Sequence, residues 1–175
     1  MIFKKQKIQG VYLIKPQPFK DKRGLFRRHF CTEEFKKNGI SHKIQQANVS
    51  ENLKKGTLRG FHYQIGFSAE AKTLSCINGA IYDVVVDLRK NSRTFGKWIS
   101  FVLDNKNKTA VHIPKGCANA FLTLSNNTLI HYYCSNKYNP SKEKGIRFND
   151  PYFKFKWPTK IKQISEKDNS HLDFK

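Results

Sequence analysis

The sequence is short of acidic residues, of paired cysteines and of long apolar runs, and each shortage removes a class of protein. Asp and Glu total 13 against 33 Lys and Arg, for a formal net charge of +20 over 175 residues. Such an excess first suggests nucleic acid. Readers of DNA and RNA concentrate arginine on one element or interleave it with exposed aromatics. Here lysine outnumbers arginine and recurs in nearly every block of ten. The scatter argues against a nucleic-acid partner and for a small anionic substrate, which a positive field concentrates at low ionic strength. Cys31, Cys76, Cys117 and Cys134 form no C-x-x-C pair. Neither a zinc knuckle nor a thioredoxin-like motif is available, and buried free thiols are expected. No apolar stretch approaches the roughly 20 residues that cross a bilayer. Met1-Ile2-Phe3-Lys4-Lys5-Gln6-Lys7 lacks the apolar core of a secretory signal. The expectation is a soluble, cytoplasmic protein with no membrane partner.

What is present is core material. Aromatics make up 13%, with 14 Phe, and the length fits one domain over residues 1–175. Alternating or β-branched runs predict strands over Gln9–Ile14, Leu25–Phe30, Lys43–Ser50, Gly56–Gln64 and Lys72–Ile77. Further strands are predicted over Ala80–Asp87, Lys97–Leu103, Ala110–Ile113, Ala120–Leu124 and Leu129–Ser135. Asn78-Gly79 and Asn126-Asn127 read as hairpin turns. Thr32–Gly39 reads as a short helix with Thr32 as N-cap and Gly39 as stop. From Pro140 the chain is turn-rich and is expected to wrap the outside, with a short helix near Ser165. The fold class is all-β, a cupin-like double-stranded β-helix (jelly-roll) barrel with short peripheral helices.

The most informative stretch is Leu58-Arg59-Gly60-Phe61-His62-Tyr63-Gln64, followed by Lys72. Strict alternation puts Arg59, Phe61 and Tyr63 on one face and His62 and Gln64 on the other. A histidine there, with a lysine arriving from the next strand, suits a general base acting on an anionic substrate. Taken alone, His62 reads equally as a core histidine with its hydrogen bond satisfied. His62-x-Gln64 and Pro114-x-Gly116-x-x-Asn119 resemble the two signature strands of cupins. A cupin metal site needs about three imidazoles and a carboxylate. This pair offers one histidine, so no metal and no cofactor are expected.

Longer motifs carry a further resemblance. They are Asp21-x-Arg23-Gly24-x-Phe26, Gln46-x-Asn48-x-Ser50, Gly56-x-Leu58-Arg59-Gly60-x-His62-Tyr63-Gln64 with Lys72, and Gly79-x-x-x-Asp83-Val84-x-Val86-Asp87-x-Arg89. Ser92-x-Thr94-Phe95-Gly96-x-Trp98, Ile113-Pro114-x-Gly116-x-Ala118, Tyr132 with Tyr138-x-Pro140, Asn149-Asp150-Pro151, Trp157-Pro158 and Ser165-x-Lys167-Asp168 follow in order. Together they resemble the nucleotide-sugar 3,5-epimerases, typified by dTDP-4-dehydrorhamnose 3,5-epimerase, over nearly the whole chain.

The resemblance implies an isomerase, free of cofactors, that inverts C3, C5 or both of a nucleoside-diphosphate 4-keto-6-deoxy sugar through an enolate, in surface polysaccharide synthesis. It makes His62 the base, Asp168 the carboxylate that orients it, Tyr132 the acid on the opposite face and Lys72 the cation at the enolate oxygen. Tyr132 is preferred to Tyr133 because it keeps the family's distance to Tyr138. Arg59 and Arg23 suit the diphosphate, since a guanidinium grips two oxygens at once. Gln46 and Asn48 match nucleotide contacts. Arg23 and Phe26 serve the neighbouring subunit's site in this family, which implies a homodimer with shared sites. Asp83 and Asp87 need partners on an otherwise apolar strand, either an active-site residue or a structural ion pair such as one with Arg89.

Two positions depart from the family pattern. Asn119 stands where a substrate-contacting histidine is usual, and an amide cannot carry a charge or shuttle a proton. Arg28 stands where a glutamate contacts the nucleotide. Both bear on the substrate more than on the reaction. A GDP-linked 4-keto heptose and inversion at C3 alone therefore stay open beside a dTDP-4-keto-6-deoxyglucose-type substrate. A 3,4-ketoisomerase and a non-catalytic sugar-nucleotide-binding barrel are the remaining alternatives.

Overall fold

A computed structural model describes residues 1–40 and 43–174. Two antiparallel sheets face each other as a jelly roll. One holds six strands in the order β1 (Ile2–Lys5), β2 (Tyr12–Lys15), β10 (Ala110–Ile113), β7 (Lys72–Asn78), β12 (Thr128–Cys134) and β5 (Gln46–Asn52). The other holds five, β13 (Glu143–Gly145), β6 (Leu58–Gln64), β11 (Cys117–Thr123), β8 (Ala80–Asp87) and β9 (Trp98–Asp104). A separate hairpin pairs β3 (Phe19–Asp21) with β4 (Gly24–Phe26), and two short helices are α1 (Thr32–Lys37) and α2 (Glu166–Asn169).

Strands β8 and β11 read as near-continuous apolar runs because both of their faces are covered. Ile81, Val85 and Phe121 point inward against Leu74 and Ile130 of the facing sheet. Val84, Val86, Ala118 and Ala120 point outward under Ile146 and Phe153, with Phe155 and Trp157 packed alongside. The segment after β13 thus wraps the outer face of the five-stranded sheet. Each fully buried apolar side chain contributes about 1.5–3 kcal/mol, and this layer carries the chain back to β6, where α2 docks. Ser165 caps α2 by accepting from the Asp168 N–H at 3.1 Å.

Several local expectations are corrected. Asn78-Gly79 joins β7 to β8, and Asn126-Asn127 joins β11 to β12; each connection crosses between sheets and makes a corner, not a hairpin. The left-handed residues the turns need are there, Gly79 at φ +79° and Asn127 at φ +51°. Thr32 does not cap α1. The Phe35 N–H bonds the Cys31 carbonyl at 3.0 Å, so the cap falls on Cys31, without a side-chain bond. The second strand begins only at Tyr12, because Gly10 at φ +85° turns the chain and Val11 bonds back to Ile8 at 3.0 Å. The strand expected through Phe30 ends at Phe26; beyond it the chain leaves the hairpin so that Phe30 can pack on Phe35 and Tyr133.

Candidate active site

Strand β6 does not alternate strictly. Asn119 of β11 pairs with His62 and Phe121 with Arg59, so one residue of β11 spans two of β6. The extra residue is a bulge. It turns Arg59 to the inner face that His62 occupies, whereas strict alternation puts the two on opposite faces. Gly60 permits this: its φ is +103°, and a Cβ there would lie 2.5 Å from the Asn119 carbonyl oxygen. Arg59 donates from Nε to Asn52 Oδ1 at 2.8 Å.

Behind the bulge stands Asp168. Its Oδ1 lies 2.7 Å from His62 Nε2, and its Oδ2 accepts the Gly60 N–H at 3.0 Å. Burial pushes this carboxyl up, but the bonds and charge of His62 and the Gly60 N–H outweigh it and hold it below the ordinary carboxylate range. The imidazole is about one-third exposed and its carboxylate is buried.

His62 opens into a cavity of about 350 Å³ that β5, β7 and β12 of the facing sheet complete with Gln46, Asn48, Lys72 and Tyr132. Lys72 Nζ pairs with Glu70 Oε1 at 3.1 Å, and Glu70 Oε2 accepts from Gln64 at 2.9 Å. Tyr132 is half-buried; burial, then the charges of Cys134 and Glu70, push its hydroxyl up, while Arg59 acts against them. Tyr133 lies outside the cavity, with its hydroxyl donating to the His29 carbonyl at 2.9 Å. Glu143 closes the rim, accepting from the Tyr138 hydroxyl at 2.7 Å and pairing with Lys167. The Gln46 side-chain oxygen holds the Tyr138 backbone N–H at 2.6 Å. Arg59 lines an adjoining groove that shares His62 with the cavity.

The two strand carboxylates separate. Asp87 is a structural ion pair, held well below its usual range by Arg89 at 2.8 Å with Ser92 and Thr94 bonding it as well, against the cost of burial. Asp83 is fully buried and accepts from Asn119 Nδ2 at 3.0 Å, while its Oδ2 has no hydrogen-bond partner among the described residues. Burial pushes it up to about 7, against that bond and the charge of Lys72. Asn119 is thus turned toward Asp83 below the cavity.

Arg23, Phe26 and Arg28 stand away from the cavity within one chain. Arg23 pairs with Asp21 at 2.7 Å on the β3–β4 hairpin, Phe26 is 68% exposed beside it, and Arg28 pairs with Glu34 at 3.2 Å.

The family described as dTDP-4-dehydrorhamnose 3,5-epimerase matches residues 5–175. The chain belongs to this family. A relative of that name from Sinorhizobium fredii (strain NBRC 101917 / NGR234) is 37% identical over 171 residues, 97% of this chain and 88% of the relative. The crystal structure of the Bacillus anthracis str. Ames dTDP-4-dehydrorhamnose 3,5-epimerase with TDP and PPi bound superposes with a TM-score of 0.96 at 32% identity, covering 99% of both chains. A 3'-monoepimerase from Streptomyces bikiniensis in complex with dTDP-quinovose superposes at 0.88 with 33% identity, over 96% of this chain and 85% of that one. The chain is accordingly an epimerase, of the isomerase class, on a cupin-like barrel.

The cavity brings His62, Lys72 and Tyr132 together, and Asp168 holds His62 from the adjoining groove. Sequence reasoning missed Glu70, Tyr138 and Glu143 as lining residues. Tyr138 stood in a motif but received no role. Glu70 carried no signal beyond its place two residues before Lys72.

Proposed function

We propose that the chain inverts C3, C5 or both of a dTDP-linked 4-keto-6-deoxy sugar, without a cofactor and as one domain over its whole length. The observation that carries this reading is the His62–Asp168 pair opening into the cavity that also holds Lys72 and Tyr132. With Nε2 engaged by Asp168, Nδ1 is the nitrogen left to take a proton from the carbon beside the keto group. Asp168 fixes the tautomer and offsets the charge of the imidazolium. The electron pair released moves onto the carbonyl oxygen, where the Lys72 ammonium stabilises the enolate. Tyr132 then delivers a proton to the opposite face, and solvent restores both groups. The reaction is a net exchange of protons, so it needs no oxidant or reductant.

Arg59 is the diphosphate ligand in this reading, with Gln46 and Asn48 toward the nucleotide. The thymidine assignment is supported by the dTDP and TDP in the structures of the similar proteins. The β3–β4 hairpin supports a homodimer: Phe19 and Phe26 are 76% and 68% exposed beside Arg23, a surface suited to completing a partner's site. Inversion at C3 alone is the second reading. It is favoured by Asn119, whose amide is bonded to Asp83 and cannot relay a proton. Work in the cytoplasm on precursors of lipopolysaccharide or capsule fits the class, and among the described residues no helix is long and apolar enough to cross a membrane.

Deuterium incorporation tests the proposal. In deuterated buffer a dTDP-4-keto-6-deoxy sugar should take up deuterium at C3, at C5, or at both, and the labelled carbon reports the number of centres inverted. Exchange with GDP-linked sugars alone overturns the thymidine assignment. No exchange with dTDP-, GDP- or CDP-linked 4-keto sugars overturns the catalytic claim and leaves a binding barrel.

A further inference from the structure

We propose that His62 and Asp168, with His171 as a third ligand, form an inhibitory site for a divalent transition metal such as Zn2+. One ligand atom from each of these residues lies within 4.8 Å of the others, and among the described residues this is the one group of three His, Cys, Asp or Glu side chains so placed. His171 lies beyond the Ser165-x-Lys167-Asp168 motif and has no part in the proposed reaction. Its Nε2 is buried without a hydrogen-bond partner among the described residues. A cation shared with Asp168 would give that nitrogen a partner. The ring fits here because Gly145, the β13 partner of His62, has no side chain: a Cβ would come within 2.0 Å of His171 Nε2.

Two imidazoles and a carboxylate are a common zinc set, with bonds near 2.0–2.2 Å and ligand atoms about 3.4 Å apart. Reaching that spacing needs the His62–Asp168 contact to open from 2.7 Å and His171 to close on the pair, shifts of about an ångström. The metal would enter by the groove lined by Arg59, Ser165 and Lys167. Arg59 and Lys167, and the net charge of +20, oppose it, so the affinity is expected to fall below that of structural zinc sites.

Occupancy silences the base by a definite route. A metal at His62 Nε2 takes the lone pair there, and a metal–oxygen bond replaces the hydrogen bond to Asp168. The proton that sat on Nε2 moves to Nδ1. The ring then holds no free lone pair toward the substrate, with no change in oxidation state.

The test uses the whole chain with Zn2+ in calorimetry and Co2+ as a spectroscopic probe. The parent should bind one equivalent, give the visible absorption of a four-coordinate cobalt ion, and lose solvent exchange reversibly to EDTA. His171→Ala should weaken zinc by about tenfold or more while keeping the metal-free exchange rate; His171→Asn serves if the alanine variant folds poorly. Equal zinc affinity in parent and variant, or no binding to the parent, overturns the site. Binding that depends on His171 but leaves exchange unchanged overturns the inhibition. Binding and absorption are read without turnover, so failure of the catalytic reading is seen separately, as an absence of exchange in the metal-free parent.

Discussion

Nε2 of His62 lies 2.7 Å from Oδ1 of Asp168, a residue 106 positions further along the chain. The same carboxylate holds the N–H of Gly60 at 3.0 Å. One group therefore fixes both the imidazole and the bulge that aims it. Asp168→Asn keeps the shape and removes the charge that offsets the imidazolium. Solvent exchange into the substrate should fall by about 10²–10⁴-fold with the near-ultraviolet circular dichroism unchanged. A loss of less than threefold would mean that the pair is structural only.

Tyr132→Phe separates abstraction from inversion. His62 can still remove a proton and return one to the same face, so deuterium should enter the substrate with retained configuration. Net epimerisation should drop by about 10²-fold or more. Inversion at the parent rate would move the acid to another residue.

Lys72→Ala removes the donor at the enolate oxygen, and turnover should fall about 10²–10³-fold. It also strands the Glu70 carboxylate, whose side chain is only 7% exposed, at a cost of about 1–3 kcal/mol. Adding Glu70→Gln should recover much of the lost melting temperature and none of the lost rate. Equal recovery of both would make Lys72 a structural cation.

Asp83 predicts how stability changes with pH. Its folded value, about 7, lies above the ordinary 3.8. A raised carboxyl favours the folded state below the ordinary value and loses that advantage as pH climbs toward the folded one. Asp83→Asn should therefore raise the melting temperature more at pH 8 than at pH 5. The gain should be a few kcal/mol at most, each pKa unit being worth about 1.4 kcal/mol. An equal gain at both values would mean that the carboxyl stays ionised throughout.

Strands β8 and β10 are legible to the residue, since apolar and β-branched runs stop at clear turn signals. Strands β1, β3 and β13 are not. They are three or four residues long and rich in lysine, and they form because a neighbouring strand offers an edge. The corners at Gly79 and Asn127 were misread because a left-handed residue serves a tight turn whether the strands pair or part. The face of Arg59 was misread because alternation cannot register a bulge set by the close approach of Ala120 to Gly60. His62 and Lys72 stand out from the pattern of β6 and the strand after it, whereas Tyr132 and Asp168 were named only through the resemblance. Glu70 was missed, because its meaning lies in Gln64 and Lys72 across the loop it closes.

Every strand of both sheets precedes Ile146, and the partner of His62 arrives only with α2. The strands that build the cavity are thus complete in the chain before the carboxylate that orients the histidine. A chain ended after Ile164 should keep the barrel's spectrum and lose proton abstraction; retained exchange would refute this division. Competence is thus conferred by α2, a single helical turn that follows every strand of the barrel in the chain.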